Sequence, residues 1–66
     1  MTMNLDFFGE NCEITAPESV LANLARALMD SSSSNKESGY KAIADIDYKL
    51  GMQIYESLKD NGYFNY

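Results

Sequence analysis

Apolar residues recur along the second half of the chain with the period of a helix. Plotted at ~100° per residue, Tyr40, Ile43, Ala44, Ile46, Leu50, Gly51, Ile54, Tyr55 and Leu58 fall within an arc of roughly 200°. Lys41, Asp45, Lys49, Gln53 and Glu56 fill the remaining side, with Asp45 and Lys49 one turn apart in the orientation that favours pairing. The pattern predicts a long helix over about 37–61, closed by Asn61-Gly62, where glycine can adopt the left-handed conformation that ends a helix. Upstream, Val20, Leu21, Leu24, Ala27 and Leu28 share one face and Ser19, Asn23, Arg26 and Asp30 lie opposite, which predicts a shorter helix over about 16–30. Its start is read from Thr15-Ala16-Pro17-Glu18: Thr15 as the cap, Pro17 in the first turn where a missing N–H costs nothing, and Glu18 three residues after the cap.

Between the two patterns, Ser31-Ser32-Ser33-Ser34-Asn35-Lys36 is expected to be a loop over 31–36, because short hydroxyl and amide side chains compete with the helix for backbone partners. In the first fifteen residues, Met3, Leu5 and Phe7 alternate with Asn4, Asp6 and Phe8, Gly9-Glu10-Asn11 offers a turn, and Cys12 and Ile14 follow. This N-terminal arm reads as a short β-hairpin or an irregular segment, since two short strands need support from outside. The expected fold is therefore mainly α, a single domain over 1–66 built on a two-helix antiparallel hairpin.

The expected lengths have a consequence. At ~1.5 Å per residue the helices rise about 22 Å and about 37 Å, so the short one covers the long one only as far as Gly51 or Met52. Ile54, Tyr55, Leu58, Tyr63 and Phe64 are left to the N-terminal arm, where Leu5, Phe7, Phe8 and Ile14 can cap them. One short helix and one arm are a thin cover for so wide an arc. A symmetric homodimer through the long helix is the expected remedy, with Tyr40, Ile43, Asp47, Leu50, Gly51, Ile54 and Tyr55 at the oligomer or ligand interface.

Composition narrows the partners. A chain of 66 residues buries only ~60% of its unfolded surface, so its stability is expected to be small. The usual reinforcements are missing, with one cysteine, Cys12, and no histidine. A lone cysteine fits a reducing compartment, and no window approaches the ~20 apolar residues that span a bilayer, so a cytoplasmic location is expected. Ten acids against five bases give a formal charge of −5, which disfavours direct contact with nucleic acid or anionic membrane. Asp6, Glu10, Glu13 and Glu18 lie in the first nineteen residues without a lysine or arginine among them. These acids aid solubility and favour the following helix start, and they also form an acidic surface suited to a basic partner.

Candidate chemistry is sparse. Asp47 lies inside the apolar arc, where an unpaired carboxylate would cost several kcal/mol. Its candidate partners are a tyrosine hydroxyl such as Tyr40 or Tyr63, a residue across a dimer axis, a cation from another molecule, or a hydroxyl or water at the rim. Gly51 sits one turn away, where glycine costs ~1 kcal/mol relative to alanine, and a close helix approach or a shallow groove would offset it. Asp45 and Asp47 point about 200° apart on a helix and cannot share a metal ion. No histidine activates Cys12 or a serine, and Gly39 and Gly51 are too isolated to form a phosphate loop. No catalytic residue, metal or cofactor is expected.

The expectation is a non-enzymatic small acidic protein acting by protein-protein binding, with Asp6, Phe7, Phe8, Glu10, Glu13, Tyr63 and Phe64 at the partner-binding surface. It suits an inhibitor of the kind that phages and mobile elements encode, one that blocks a basic nucleic-acid-handling or defence protein. Two other classes remain open at this point: a homo-oligomeric sponge that binds a small ligand such as a nucleotide between helices, and a structural subunit of a larger assembly.

Overall fold

The alternation at the N-terminus forms a strand pair. In the computed structural model, which describes residues 1–7 and 9–64, β1 (Thr2–Phe7) and β2 (Glu10–Thr15) pair antiparallel in the register Met3 with Ile14, Leu5 with Cys12 and Phe7 with Glu10. Met3 and Leu5 point inward and are buried, and Ile14 packs beside them, so the period-two pattern decides which face meets the rest of the chain. The hairpin reading of the N-terminal arm is the one realised.

Two helices of equal length follow, α1 (Glu18–Glu37) and α2 (Lys41–Asp60), each 20 residues and about 30 Å long. The chain is thus an N-terminal β-hairpin followed by two packed antiparallel helices, and the expected helical hairpin is present. Several boundaries differ from expectation: β2 already begins at Glu10, inside the expected Gly9-Glu10-Asn11 turn, and α2 begins at Lys41 rather than near residue 37. The serine run is not a loop, because Ser31–Lys36 belongs to α1, and the predicted mismatch in helix length disappears with it. Thr15 does not cap α1; it ends β2, and its hydroxyl bonds the Thr2 hydroxyl at 2.8 Å. Pro17 takes the cap position in an extended conformation, and its carbonyl accepts from the Val20 and Leu21 N–H groups.

The end of α1 explains the missed boundary. Gly39 has φ +88°, the Gly39 N–H donates to the Lys36 carbonyl and the Tyr40 N–H to the Asn35 carbonyl, the paired bonds that close a helix on a left-handed residue. The end of α2 repeats the device at Gly62, with Tyr63 N–H donating to the Leu58 carbonyl. The same geometry therefore stops both helices, and only the second was read from the sequence.

The four elements lie side by side in the order α1, α2, β1, β2, and α2 touches both α1 and β1. The Cα extents of 35 × 29 × 16 Å reflect this flat arrangement. It gives the wide arc of α2 a physical reason: one flank faces α1 and the other faces β1. Met3, Leu5, Leu21, Ala25, Ile54 and Leu58 form the core where the hairpin base, α1 and α2 meet, with Met1, Leu28, Leu50, Tyr55 and Tyr63 packed around them. The overhang proposed for Ile54, Tyr55 and Leu58 is accordingly covered by α1 and by the hairpin together.

Towards the interhelical turn the contact between α1 and α2 becomes polar. The buried Ser32 hydroxyl donates to the Ala44 carbonyl at 2.7 Å, the Ser31 hydroxyl to an Asp47 carboxylate oxygen at 2.7 Å, and the Asn35 amide to the same oxygen at 3.2 Å. Serine costs at most ~0.7 kcal/mol per residue relative to alanine in a helix, while each such bond contributes about 0.5–1.5 kcal/mol. The three tertiary bonds are of the same size as the helix cost of the serine run and offset it, so the run stays helical.

Candidate functional site

The hairpin tip and α2 enclose an open groove of about 420 Å³. Gln53 positions it: its side-chain amide donates to the Asp6 carbonyl at 3.0 Å, and its side-chain carbonyl accepts from the Asp6 N–H at 2.7 Å. One glutamine thus takes both backbone groups of a strand residue and fixes the tip against the helix. The Asp6 carboxylate accepts from the Gly9 N–H at 3.0 Å, which holds the turn.

Phe7 from the hairpin and Tyr48, Ile46 and Met52 from α2 supply apolar wall, and Asp6, Asp45 and Glu56 set carboxylates around it against the single ammonium of Lys49. Phe7 and Tyr48 are 39% and 51% exposed, so aromatic surface is open to a visitor. Asp45, Lys49 and Glu56 are exposed as well. Aromatic and apolar surface beside unmatched carboxylates suits a ligand with a cationic head and an apolar stem, such as a lysine or arginine side chain. Among the described residues no cluster of three or more potential ligands is placed to hold a metal ion, and no helix is long and apolar enough to cross a membrane.

The residues expected to bind a partner are divided by the fold. Asp6 and Phe7 line the groove, and Glu10 stands opposite Phe7 at the tip. Glu13 lies further along β2, exposed and paired with Asn4. Phe8 lies outside the described residues. Tyr63 and Phe64 lie beyond the C-terminal end of α2, where their rings meet edge to face at 5.1 Å and Phe64 also meets Tyr55 at 5.8 Å. Tyr63 and Phe64 thus gather at Tyr55, whereas Phe7 lines the groove beside Gln53.

The residues expected at an oligomer or ligand interface are also divided. Gly51 and Ile54 are enclosed by the chain itself; a Cβ on Gly51 would lie 3.0 Å from the Met29 sulfur and 3.3 Å from the Ala25 carbonyl oxygen. Close helix approach is therefore what the glycine provides. Asp47 is half-buried, and within the chain it accepts from the Ser31 hydroxyl, one of the expected kinds of partner, and from the Asn35 amide, not from Tyr40 or Tyr63. Leu50 and Tyr55 pack against the core. Tyr40 and Ile43, 60% and 50% exposed, are what remains open for self-association on that stretch of α2.

Sequence reasoning left out Gln53, Tyr48, Ile46 and Met52 as site residues. Asp45, Gln53 and Glu56 were placed on the solvated side of α2, and the missing information was that β1 returns along that side. Tyr48 and Met52, large apolar side chains outside the apolar arc, are the local signs of a second surface. Comparison with known protein families, with curated proteins and with solved structures gives no match.

Proposed function

We propose that this is a non-enzymatic binding protein whose groove at the hairpin tip takes a basic segment of another protein. The observation that supports the reading is the groove itself, with exposed Phe7 and Tyr48 and half-buried Ile46 and Met52 beside Asp6, Asp45 and Glu56, and only Lys49 of opposite sign among the lining residues. A lysine or arginine would lay its methylene stem on the aromatic wall and its charged head among the carboxylates. An occupant drawn to carboxylates in this way is also one drawn to phosphates. Occupancy would therefore compete with nucleic acid for the same basic surface, which makes an inhibitor of a nucleic-acid-handling protein the natural use of such a groove.

The ligand-sponge alternative has less support from the geometry, because Asp47 is committed to Ser31 and Asn35 and Gly51 lies beneath Met29. The test uses the whole protein as bait, alongside a double variant, Asp45→Lys with Glu56→Lys, whose exposed positions allow folding. Wild type is expected to retain basic proteins at low salt and release them as salt rises, while the variant retains none of them. Recovery of the same set by both baits would remove the groove from consideration.

A further inference from the structure

A two-stranded sheet has two edges, and α2 occupies only one of them. Met1 and Ala16 exchange both backbone hydrogen bonds at 3.0 Å, which fixes the phase of the ladder. With the observed register, Met3 with Ile14, Leu5 with Cys12 and Phe7 with Glu10 are the hydrogen-bonded pairs. Thr2, Asn4 and Asp6 on β1, and Asn11, Glu13 and Thr15 on β2, then aim their N–H and C=O groups away from the partner strand. On β1, Gln53 takes both groups of Asp6, so a strand adding there must first displace a formed contact. On β2 the outward groups of Asn11, Glu13 and Thr15 have no backbone or side-chain partner among the described residues, and no helix backbone runs alongside that strand. Three donor-acceptor pairs thus stand in line about 7 Å apart, the spacing of alternate residues in an extended chain.

Charge selects what can pair with this edge. β2 carries Glu10 and Glu13, the adjoining strand carries Asp6, and no lysine or arginine occurs before Arg26. A second copy would bring the same acids against them, and like charges on neighbouring strands are destabilising, a common device against self-pairing. An extended segment rich in lysine or arginine meets the same backbone template with the opposite sign. We propose that the outer edge of β2 captures a basic, extended segment of the partner as a third strand. The backbone of Asn11, Glu13 and Thr15 supplies the ladder, and the Glu13 side chain faces a cation. Backbone bonds of this kind provide affinity, and side chains at alternate positions provide choice. The inference rests on the reading that the partner is basic, and it adds the mode of capture at a surface apart from the groove.

The experiment follows amide hydrogen exchange of the whole protein by NMR, with two short peptides of equal charge as probes. One alternates lysine and threonine; the other repeats lysine-proline-proline with the same number of lysines, so that neither edge offers N–H groups at successive alternate residues and no ladder can form. With the first peptide, the amides of Asn11, Glu13 and Thr15 are expected to slow by about tenfold or more, while the second peptide leaves them unchanged. Glu13→Pro deletes an N–H that points away from β1, the setting in which an edge strand tolerates proline, and is expected to lower affinity for the lysine-threonine peptide by about tenfold. Glu13→Gln removes only the charge and is expected to lower it a few-fold at most. Circular dichroism of Glu13→Pro checks that the hairpin and helices persist, and the exchange measurement on wild type decides the matter if they do not. Equal binding of both peptides with the three amides still fast overturns strand capture and leaves a basic partner standing; binding of neither overturns both. Protection that grows with protein concentration in the absence of peptide identifies a second copy as the occupant and likewise overturns the proposal.

Discussion

Near the hairpin, α1 and α2 meet through Leu21, Ala25, Ile54 and Leu58 with Met3 and Leu5 against them, whereas towards the Gly39 turn they meet through Ser31, Ser32, Asn35, Ala44 and Asp47. The two halves of one helix pair are therefore held by different forces. The apolar half draws on burial, at ~1.5–3 kcal/mol for each large side chain fully removed from water. The polar half replaces bonds to water by bonds across the seam, at about 0.5–1.5 kcal/mol each, somewhat more where the Asp47 carboxylate accepts. The first half supplies most of the stability. The second fixes how the helices align, because an alternative register would leave the Ser32 hydroxyl buried without an acceptor.

The contrast is broken most severely at its apolar end. Leu58 has no exposed surface, and Leu58→Ala is expected to cost about 2–5 kcal/mol, a large share of the roughly 3–10 kcal/mol expected for 66 residues; the urea midpoint reports it. A loss below about 1 kcal/mol would mean that the hairpin base collapses onto the vacancy. Gly51, between the two halves, comes next. Gly51→Leu forces α1 and α2 apart and is expected to cost about 1–3 kcal/mol, while Gly51→Ala should be near neutral. In the latter the helix gain of ~1 kcal/mol offsets displacement of the flexible Met29 end and a few tenths of an ångström of give at the Ala25 carbonyl, and thermal melts of the pair separate the two effects.

Asp47→Leu tests the polar half and should cost about 0.5–1.5 kcal/mol, by removing the acceptor of the exposed Ser31 hydroxyl and of the half-buried Asn35 amide. A stabilised variant in chemical denaturation would show that alignment, rather than stability, is what the carboxylate provides. The smallest effect belongs to the hairpin. Gln53→Ala should cost under about 1 kcal/mol, since its bonds are exposed, yet the Asp6 amide should exchange faster while those of Leu5 and Cys12, within the strand ladder, keep their protection. Equal acceleration at all three amides would mean that Gln53 holds the whole hairpin and not its tip alone.

Parts of this architecture were legible along the chain and parts were not. The alternation of Met3, Leu5 and Phe7 and the Asn61-Gly62 stop each depend on a few adjacent residues, and each is found as read. The serine run was misread because four serines and an asparagine resemble a connector when only local preference is weighed. Ser38-Gly39 carried the same stop as Asn61-Gly62, and giving it equal weight would have placed the turn correctly. Asp47 was correctly marked as needing partners, yet Ser31 and Asn35 were hidden by their assignment to a loop. Of the groove, Asp6 and Phe7 were marked as partner-binding residues and Leu50 as an interface residue; the rest of its lining was not marked.

By itself the sequence determined which faces are apolar, that two helices and an alternating arm exist, and that the arm is acidic, because period and charge are properties of neighbouring residues. The tertiary structure alone decided that serines continue a helix, that Gln53 clasps a strand, and that β2 keeps an open edge. Each of these turns on a hydrogen-bonding group finding or lacking a partner that is distant in the chain, and no local pattern records that distance.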